Sequence, residues 1–200
     1  MKTIIHPTYF PNIQMLKHVI KSNNILFEIS DNYVKQTQRN RMSIYTANGR
    51  LDLTIPVKFS SSKREKFKDI KICYETNWQK NHLKSIQIAY RNSPYYNFFE
   101  ENLLEIFNQK EKFLIDFNIK SIRIIHQILE INLKYNLTKE FKKKYENHKD
   151  LRELLNFNST KIKGKKYCQV FNEKHGFIEN LSSLDLIFNK GLNTIDFLNN

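Results

Sequence analysis

A loop near the start of the chain combines a histidine and a tyrosine with two prolines. In His6-Pro7-Thr8-Tyr9-Phe10-Pro11 the prolines restrict the backbone, while His6 and Tyr9 offer a base and a hydroxyl as candidate catalytic groups. A strand-to-helix loop of an α/β sheet is a common place for ligands to bind. The alternative is a rigid turn in which the aromatic rings only pack against the core. The residues by themselves leave both interpretations open.

A polar segment, residues 31–41, follows the second predicted strand and brings three cations close to one carboxylate. Arginine binds phosphate and carboxylate groups through paired N–H donors, so the segment indicates a site for an anion. A solvent-exposed loop with surface ion pairs is the alternative interpretation. We favour the ligand site and expect the following residues to bind the substrate: Asp31, Tyr33, Lys35, Arg39, Asn40 and Arg41.

A histidine with aromatic neighbours at helical spacing forms the third candidate. Trp78, His82 and Ser85 recur three and four residues apart, which places them on one face of a helix. His82 is a candidate catalytic base, because the ordinary pKa of histidine lies close to neutrality. Trp78 and Tyr90 are candidate substrate contacts. The competing interpretation is an aromatic stripe buried in the core, with His82 as an internal, hydrogen-bonded residue.

Familiar catalytic and metal-binding patterns are missing from the sequence. The chain has four glycines and contains no phosphate-binding glycine loop, nucleophile elbow or zinc-protease motif. Its six histidines are never paired at metal-ligand spacing, and Cys73 and Cys168 stand far apart. We therefore expect no metal site, no disulfide framework and no cofactor.

The elements that must position these residues are those of an α/β protein. Residues 3–5, a helix from Ile13 with Asn12 as its N-cap, and residues 25–29 predict a βαβ-like opening. Asn48-Gly49 between two apolar runs predicts a hairpin with a type I′ turn, which needs positive φ at both residues. We expect an N-terminal mixed sheet with this opening and hairpin, followed by a mainly helical C-terminal half.

Three further predictions concern the boundaries of elements. Residues 67–74 alternate imperfectly and predict another strand. Ser93-Pro94 predicts the N-cap and first residue of a helix. Ser182 and Gly191 predict the start and the end of a short helix near the C-terminus.

The formal charge of +13 is spread along the chain rather than gathered into one patch. Residues 1–60 carry 8 basic and 3 acidic side chains, and residues 151–200 carry 7 and 5. The densest basic runs, residues 142–144 and 161–166, suit a solvated helix end and a loop. We therefore do not expect nucleic acid as the main partner. Because no apolar run reaches the roughly 20 residues of a membrane span and no secretory signal begins the chain, we expect a cytoplasmic protein.

Several short stretches, in a fixed order from about Thr3 to Gly191, together carry a family resemblance. They are Pro7-Thr8-Tyr9-Phe10-Pro11, Glu28, Asn32-Tyr33-Val34-Lys35-Gln36-Thr37, Arg39-Asn40-Arg41, Ala47-Asn48-Gly49, Leu53-Thr54-Ile55-Pro56-Val57, Trp78-Gln79, His82, Ala89-Tyr90, Ser93-Pro94-Tyr95-Tyr96, Tyr167, Gln169-Val170-Phe171, His175-Gly176-Phe177, Leu181-Ser182 and Leu184-Asp185-Leu186. Their order and spacing resemble the WbqC-like family of bacterial proteins, which occur with O-antigen and polysaccharide biosynthesis genes. The chain departs from the family pattern at His6, Gln38 and Leu83. The resemblance implies a single domain over residues 1–200, with a sheet-rich part at 1–75 and a helix-rich part at 76–200.

The resemblance also implies a role in polysaccharide biosynthesis, since some members have been proposed to transfer glycine or a similar amino acid onto an amino sugar. The implied partners are a sugar nucleotide or another anionic small molecule and an activated amino acid donor. On that interpretation the cations of residues 31–41 hold a diphosphate, and His82 or His6 acts as the base. Tyr9 or Asn40 would donate to the tetrahedral intermediate. The alternative is a non-catalytic ligand-binding or scaffold protein of a polysaccharide assembly system.

Overall fold

The structure is a computed structural model that describes residues 2–59, 64–156 and 165–199. Within these residues the strands are β1 (Lys2–Ile5), β2 (Asn24–Phe27), β3 (Arg41–Thr46), β4 (Gly49–Thr54), β5 (Val57–Lys58), β6 (Lys71–Ile72), β7 (Tyr135–Leu137) and β8 (Lys149–Asp150). The α-helices are α1 (Ile13–Ile20), α2 (Trp78–Tyr90), α3 (Tyr96–Phe107), α4 (Leu114–Ile128), α5 (Asn172–His175), α6 (Ser183–Lys190) and α7 (Thr194–Asn199). Residues 161–164 of the second basic run lie outside the described residues.

A parallel sheet of four strands, in the order β7-β2-β1-β8, organises the molecule. β1 pairs with β2 from Lys2↔Asn24 to Ile5↔Phe27, and α1 lies between them in the chain. The side chain of Asn12 accepts a hydrogen bond from the backbone N–H of Met15 at 2.8 Å, which caps the first turn of α1. The predicted βαβ opening and its N-cap are therefore confirmed.

The two outer strands of this sheet come from the half of the chain that was predicted to be mainly helical. β7 pairs with β2 over three residues, and β8 pairs with β1 over two. Such short strands cannot display the alternation of polar and apolar residues by which strands are recognised. The fold is α/β, as predicted, but its sheet is assembled from both halves of the sequence.

The predicted hairpin is present as β3 and β4, although its turn is of a different type. Ala47 and Asn48 occupy the turn, and Gly49 pairs with Thr46 and has a φ of +93°, while Asn48 is not at positive φ. The hydroxyl of Thr46 accepts from the N–H of Asn48 at 3.2 Å and donates to the carbonyl of Gly49 at 2.9 Å. One left-handed glycine and a threonine side chain close this turn, so the predicted type I′ geometry with two positive φ angles is wrong.

Two of the three predicted element boundaries are also corrected. Residues 67–74 hold a 3-10 helix, Phe67–Asp69, and then the two-residue strand β6. The hydroxyl of Ser93 donates to the carbonyl of Tyr90 at 2.6 Å, so Ser93 belongs to the turn that follows α2, and α3 starts only at Tyr96. The helix near the C-terminus is confirmed, because Ser182 caps α6 and Gly191, with a φ of +57°, ends it.

One hydrophobic core joins the sheet, the hairpin and the helices. Ile5 of β1, Leu16 of α1, Ile44 of β3, Ile86 of α2 and Ile125 of α4 belong to the same buried cluster. Each buried aliphatic side chain contributes about 1.5–3 kcal/mol relative to an exposed one. This shared core fixes the loops that leave the carboxyl ends of the parallel strands.

Candidate functional site

Polar side chains converge at the edge of the sheet where the four parallel strands end. His6 directly follows β1, and Glu28 directly follows β2. Thr138 directly follows β7, and Arg152 comes two residues after β8. An open cleft of about 490 Å³ at this edge is lined by His6, Asp31, Phe141, Asp150, Arg152 and Glu153. This is the position at which α/β sheets usually bind their ligands.

A single carboxylate oxygen joins the two segments that the sequence marked as candidate sites. Nε2 of His6 lies 2.8 Å from Oδ2 of Asp31, and a guanidinium nitrogen of Arg39 donates to the same oxygen. His6 is 4% exposed and Arg39 is 1% exposed, so this contact is buried. The guanidinium also lies 4.9 Å from the centre of the Phe67 ring. The structure therefore brings His6, Asp31 and Arg39 into one cluster.

The protonation states within this cluster follow from its geometry. Burial alone would raise the pKa of Asp31, but the hydrogen bond from His6 and the charge of Arg39 outweigh burial and lower it. Burial lowers the pKa of His6, although its bond to Asp31 acts in the opposite direction. Near neutral pH, Asp31 is thus ionised and His6 is neutral. Because a carboxylate can only accept, Nε2 of His6 carries the proton and Nδ1 keeps a free lone pair.

Several buried polar atoms around this cluster have no hydrogen-bond partner among the described residues. They are Nδ1 of His6, Oδ1 of Asp31, the hydroxyl of Tyr33, Nε and Nη1 of Arg39, and Oδ1 of Asn40. More than about nine in ten buried polar groups in proteins are normally paired. A concentration of unpaired donors and acceptors in one place is expected where a ligand supplies the missing partners.

A second buried carboxylate supports the floor of the cleft. Glu28, which is fully buried, accepts from the hydroxyls of Thr138 at 2.9 Å and Tyr145 at 3.1 Å. Arg152 lies 3.6 Å from the same carboxylate and makes a bidentate contact with Asp150. These bonds tie the loops after β2, β7 and β8 together, which holds the cleft-lining side chains in place.

Tyr9, Trp78 and His82 lie in the aromatic core and do not line this cleft. Tyr9 is 1% exposed, and its hydroxyl is 3.0 Å from Nδ1 of His82. The ring of Trp78 meets that of His82 edge-on at 5.2 Å. Burial lowers the pKa of His82 to about 4, and its hydrogen-bond partner is a phenol rather than a carboxylate. The position of His82 is thus the internal, hydrogen-bonded one of the competing interpretation, and its candidate role as a base in this cleft is corrected.

The remaining residues of the polar segment are placed less centrally. Lys35 is exposed, and its ammonium lies 4.6 Å from the centre of the Phe59 ring. Asn40 is buried and donates to a backbone carbonyl just after β4 at 3.0 Å. Arg41 begins β3, where its Nε donates to the hydroxyl of Thr54 at 3.2 Å. Of the predicted anion-binding cations, only Arg39 contacts the cluster of His6 and Asp31 directly.

Tyr90 belongs to a separate buried network that joins α2 to α6. Its hydroxyl donates to Asp185 at 2.9 Å and accepts from the backbone N–H of Tyr45 at 3.0 Å. Tyr167 also donates to Asp185, and the side-chain amide of Gln169 does so at 3.0 Å. Burial raises the pKa of Asp185, although these three donors act to lower it. The contacts of Tyr90 are those of a structural residue.

A model of the WbqC-like protein family matches residues 6–170 of the 200-residue chain. The chain belongs to the WbqC-like protein family. No curated protein and no solved structure matches it. The matched range of this WbqC-like chain includes Arg39 and every residue that lines the cleft, from His6 to Glu153.

Sequence analysis missed the side of the cleft that β7 and β8 supply. Phe141, Asp150, Arg152 and Glu153 lie in a stretch whose strands are too short to recognise, so nothing in the sequence placed them beside His6. One signal was available. Glu28 is a carboxylate directly after a strand, and a buried carboxylate needs a cationic partner such as Arg152, which in turn pairs with Asp150.

Two absences hold for residues 2–59, 64–156 and 165–199. Every helix in these ranges is too short or too polar to cross a bilayer. These ranges also hold no group of three or more His, Cys, Asp and Glu side chains arranged to bind a metal ion.

Proposed function

We propose that the chain is an acyl- or aminoacyltransferase of bacterial polysaccharide or O-antigen biosynthesis. It transfers an aminoacyl group, such as glycyl, from an activated donor to the amino group of a sugar nucleotide. The family supports this choice of acceptor and donor through the resemblance described above. The observation that carries the chemistry is the buried contact of His6 and Arg39 with Asp31 at the carboxyl edge of the sheet.

His6 is the catalytic base in this proposal. Asp31 orients the imidazole through Nε2 and leaves the lone pair of Nδ1 without a partner among the described residues. A neutral histidine held by a carboxylate is the usual arrangement for taking a proton near neutral pH. His82 has no such carboxylate and a pKa of about 4, so we leave it out of the catalytic groups.

Arg39 and Tyr33 bind the diphosphate of the acceptor in this proposal. Two N–H groups of Arg39 and the hydroxyl of Tyr33 lack partners in the described part of the chain. Burial raises the pKa of Tyr33 to about 12, while the charges of Arg39 and Arg41 act to lower it. Tyr33 thus stays a neutral donor in a cationic environment, which suits a phosphate oxygen. Lys35, further along the same segment, adds positive charge on the exposed side.

The reaction forms one amide bond and breaks one activated acyl bond. The nitrogen of the neutral acceptor amine attacks the carbonyl carbon of an aminoacyl ester or thioester. Nδ1 of His6 takes one proton from that nitrogen as the new C–N bond forms. When the tetrahedral intermediate collapses, the bond from carbon to the leaving oxygen or sulfur breaks, and His6 returns the proton to the leaving group.

Turnover with an amino-sugar nucleotide tests this function directly. UDP-glucosamine and a glycyl thioester are incubated with the protein, and mass spectrometry follows the gain of one glycyl group. We expect His6→Gln to lower turnover by about 10²-fold or more with nearly unchanged affinity for the nucleotide sugar, because glutamine cannot take the proton. His175→Gln, which changes an exposed histidine of α5 outside the cleft lining, is the matched control and should keep full activity.

The same assay separates the enzyme from its alternative. Binding of UDP-glucosamine without turnover with any activated aminoacyl donor would favour a non-catalytic binding or scaffold protein. Turnover of His6→Gln at the rate of the unchanged protein would remove His6 from the mechanism.

A further inference from the structure

The free hydrogen-bonding capacity of the cleft consists of acceptors. Nδ1 of His6 and Oδ1 of Asp31 are buried and have no partner among the described residues. The carboxylate of Glu153 is exposed and makes no hydrogen bond or ion pair within the described part of the chain. A ligand that fills this cleft must therefore bring hydrogen-bond donors.

Arg152, which lines the cleft, uses most of its donors within the protein. Nε of Arg152 donates to Asp150 at 2.9 Å, and Nη1 donates to the carbonyl of Lys142 at 2.9 Å. Nη2 donates to Asp150 at 2.6 Å and to the carbonyl of Lys143 at 2.9 Å. Four of its five N–H groups are used in this way, and the fifth, on Nη1, has the carboxylate of Glu28 3.6 Å away, so Arg152 braces the loops around it and leaves little donor capacity for an anion.

The charges of the side chains that line the cleft also favour a ligand that brings donors and positive charge. Among the residues that line it, three carboxylates, those of Asp31, Asp150 and Glu153, stand against one guanidinium group, that of Arg152. Lys142 and Lys143, whose backbone carbonyls accept from Arg152, do not line the cleft, and the ammonium of Lys142 pairs with Glu140 at 3.2 Å. In a chain of formal charge +13, this cleft is locally acidic.

We propose that this cleft binds a primary ammonium group carried on a sugar ring, with His6, Asp31 and Glu153 as its acceptors. An ammonium supplies both the donors and the positive charge that the cleft lacks. Phe141, which lines the cleft and is 51% exposed, offers an apolar surface for the ring that carries the ammonium. The identification of this group with the acceptor amine rests on the proposed transferase function, in which the bound ammonium first loses one proton to solvent and the neutral amine then attacks.

This assignment divides the site into two parts of opposite charge. Arg39 and Tyr33 form the cationic part, and Glu153 and Asp150 form the acidic part. Asp31 connects the parts, because it bonds Arg39 and also lines the acidic cleft. An amino-sugar nucleotide has the matching polarity, with a diphosphate at one end and an ammonium at the other.

Two matched pairs of probes test the inference. Binding of glucosamine is compared with that of glucose, and binding of UDP-glucosamine with that of UDP-glucose, by calorimetry at about pH 6, where a primary amine is protonated. We expect the amino form to bind about tenfold or more tightly in each pair, as for a hydrogen bond to a charged group. Glu153→Gln should reduce this preference by up to about fivefold, and Glu153→Lys should reduce it further.

Glu173→Gln and Glu173→Lys are the matched controls, because Glu173 is an exposed glutamate of α5 outside the cleft lining. They should leave the preference unchanged, and thermal melting should show that all four variants fold. Equal binding of the amino and hydroxyl forms, with UDP-glucose still bound, would overturn the ammonium site alone. If glucosamine binds more tightly than glucose, but UDP-glucosamine binds no more tightly than glucosamine, the ammonium site stands. That result would overturn the sugar nucleotide as the acceptor in the proposed function. Failure of all four probes to bind would overturn both.

Discussion

One oxygen of Asp31 accepts from both His6 and Arg39, and this double contact links two segments that lie 25 residues apart in the sequence. Arg39 is 1% exposed, so its charge depends on Asp31 for compensation. Removing one partner of a buried ion pair leaves the other charge unpaired in a medium of low dielectric constant. Asp31 therefore holds together the base and the cation that we assign to the site.

His82 provides a prediction at the same scale, because its position in the core makes stability depend on pH. Its pKa is about 4 in the fold and about 6.5 in the unfolded chain, so the unfolded state binds the proton first as pH falls. The contribution of His82 to the free energy of unfolding should therefore decrease as the pH falls from about 6.5 to about 4, and it should change no further below pH 4. From pH 7 to pH 5 we expect His82 to contribute a loss of about 2 kcal/mol.

Urea denaturation at pH 7 and pH 5 measures this contribution. His82→Gln can keep a hydrogen bond to Tyr9 but has no proton to gain, so the variant should lose about 2 kcal/mol less than the unchanged protein between these pH values. His148→Gln serves as the control and should keep the full loss. An identical loss in His82→Gln and the unchanged protein would contradict the buried, neutral state of His82.

At the scale of elements, the sequence was informative where a local signal decided the outcome. Asn12 correctly predicted the start of α1, and Gly49 correctly predicted the position of the hairpin. Helix capping and a positive φ each depend on only a few neighbouring residues, so they can be recognised in the sequence. β7 and β8 gave no such signal, since their two or three residues are strands only through pairing with β2 and β1. The part of the site on residues 31–41 was therefore predictable, and the part around Arg152 was not.

The prediction at the scale of elements concerns Gly191, the glycine that ends α6. Gly191 has a φ of +57°, and a Cβ atom placed on it would lie 2.7 Å from Cδ1 and 3.0 Å from Cγ of Tyr95. The backbone of Tyr95 is anchored, because its N–H donates to the carbonyl of Phe188 at 3.0 Å, so its ring can make room only by changing its side-chain rotamer. Gly176 has a similar φ of +70° but no atom within 4 Å of such a Cβ.

Gly176→Ala should cost about 1–3 kcal/mol through backbone strain. Gly191→Ala should cost about 1–3 kcal/mol more, because overpacking against Tyr95 adds to a similar strain. Chemical denaturation of the two variants gives this difference. Equal losses of stability would mean that the ring of Tyr95 moves aside freely.

At the scale of the whole molecule, the sheet that carries the site is built from two parts of the chain that lie far apart in the sequence. β1 and β2 come from the first 27 residues, whereas β7 and β8 come from residues 135–150. The acidic cleft forms where these segments meet, so a basic chain presents a locally negative site. The positive charge of the whole chain thus predicts an anionic partner, whereas the negative charge of the cleft predicts a cationic group. A ligand that binds in the cleft interacts with the charge of the cleft.

The last prediction follows from that difference and concerns RNA, which a formal charge of +13 would suggest as a ligand. Basic side chains that are spread over the surface attract phosphates without forming a specific site, so their binding depends on the release of counterions.

We expect a transfer RNA to bind with a Kd no tighter than about 10⁻⁶ M near physiological salt, and to lose affinity steeply between about 50 and 200 mM salt. Replacing Lys142, Lys143 and Lys144 by glutamine removes three of 33 basic side chains and should weaken binding by less than about tenfold. Filter binding across a salt series measures both effects. Binding that persists at high salt, or that these three substitutions abolish, would instead identify a focused RNA site.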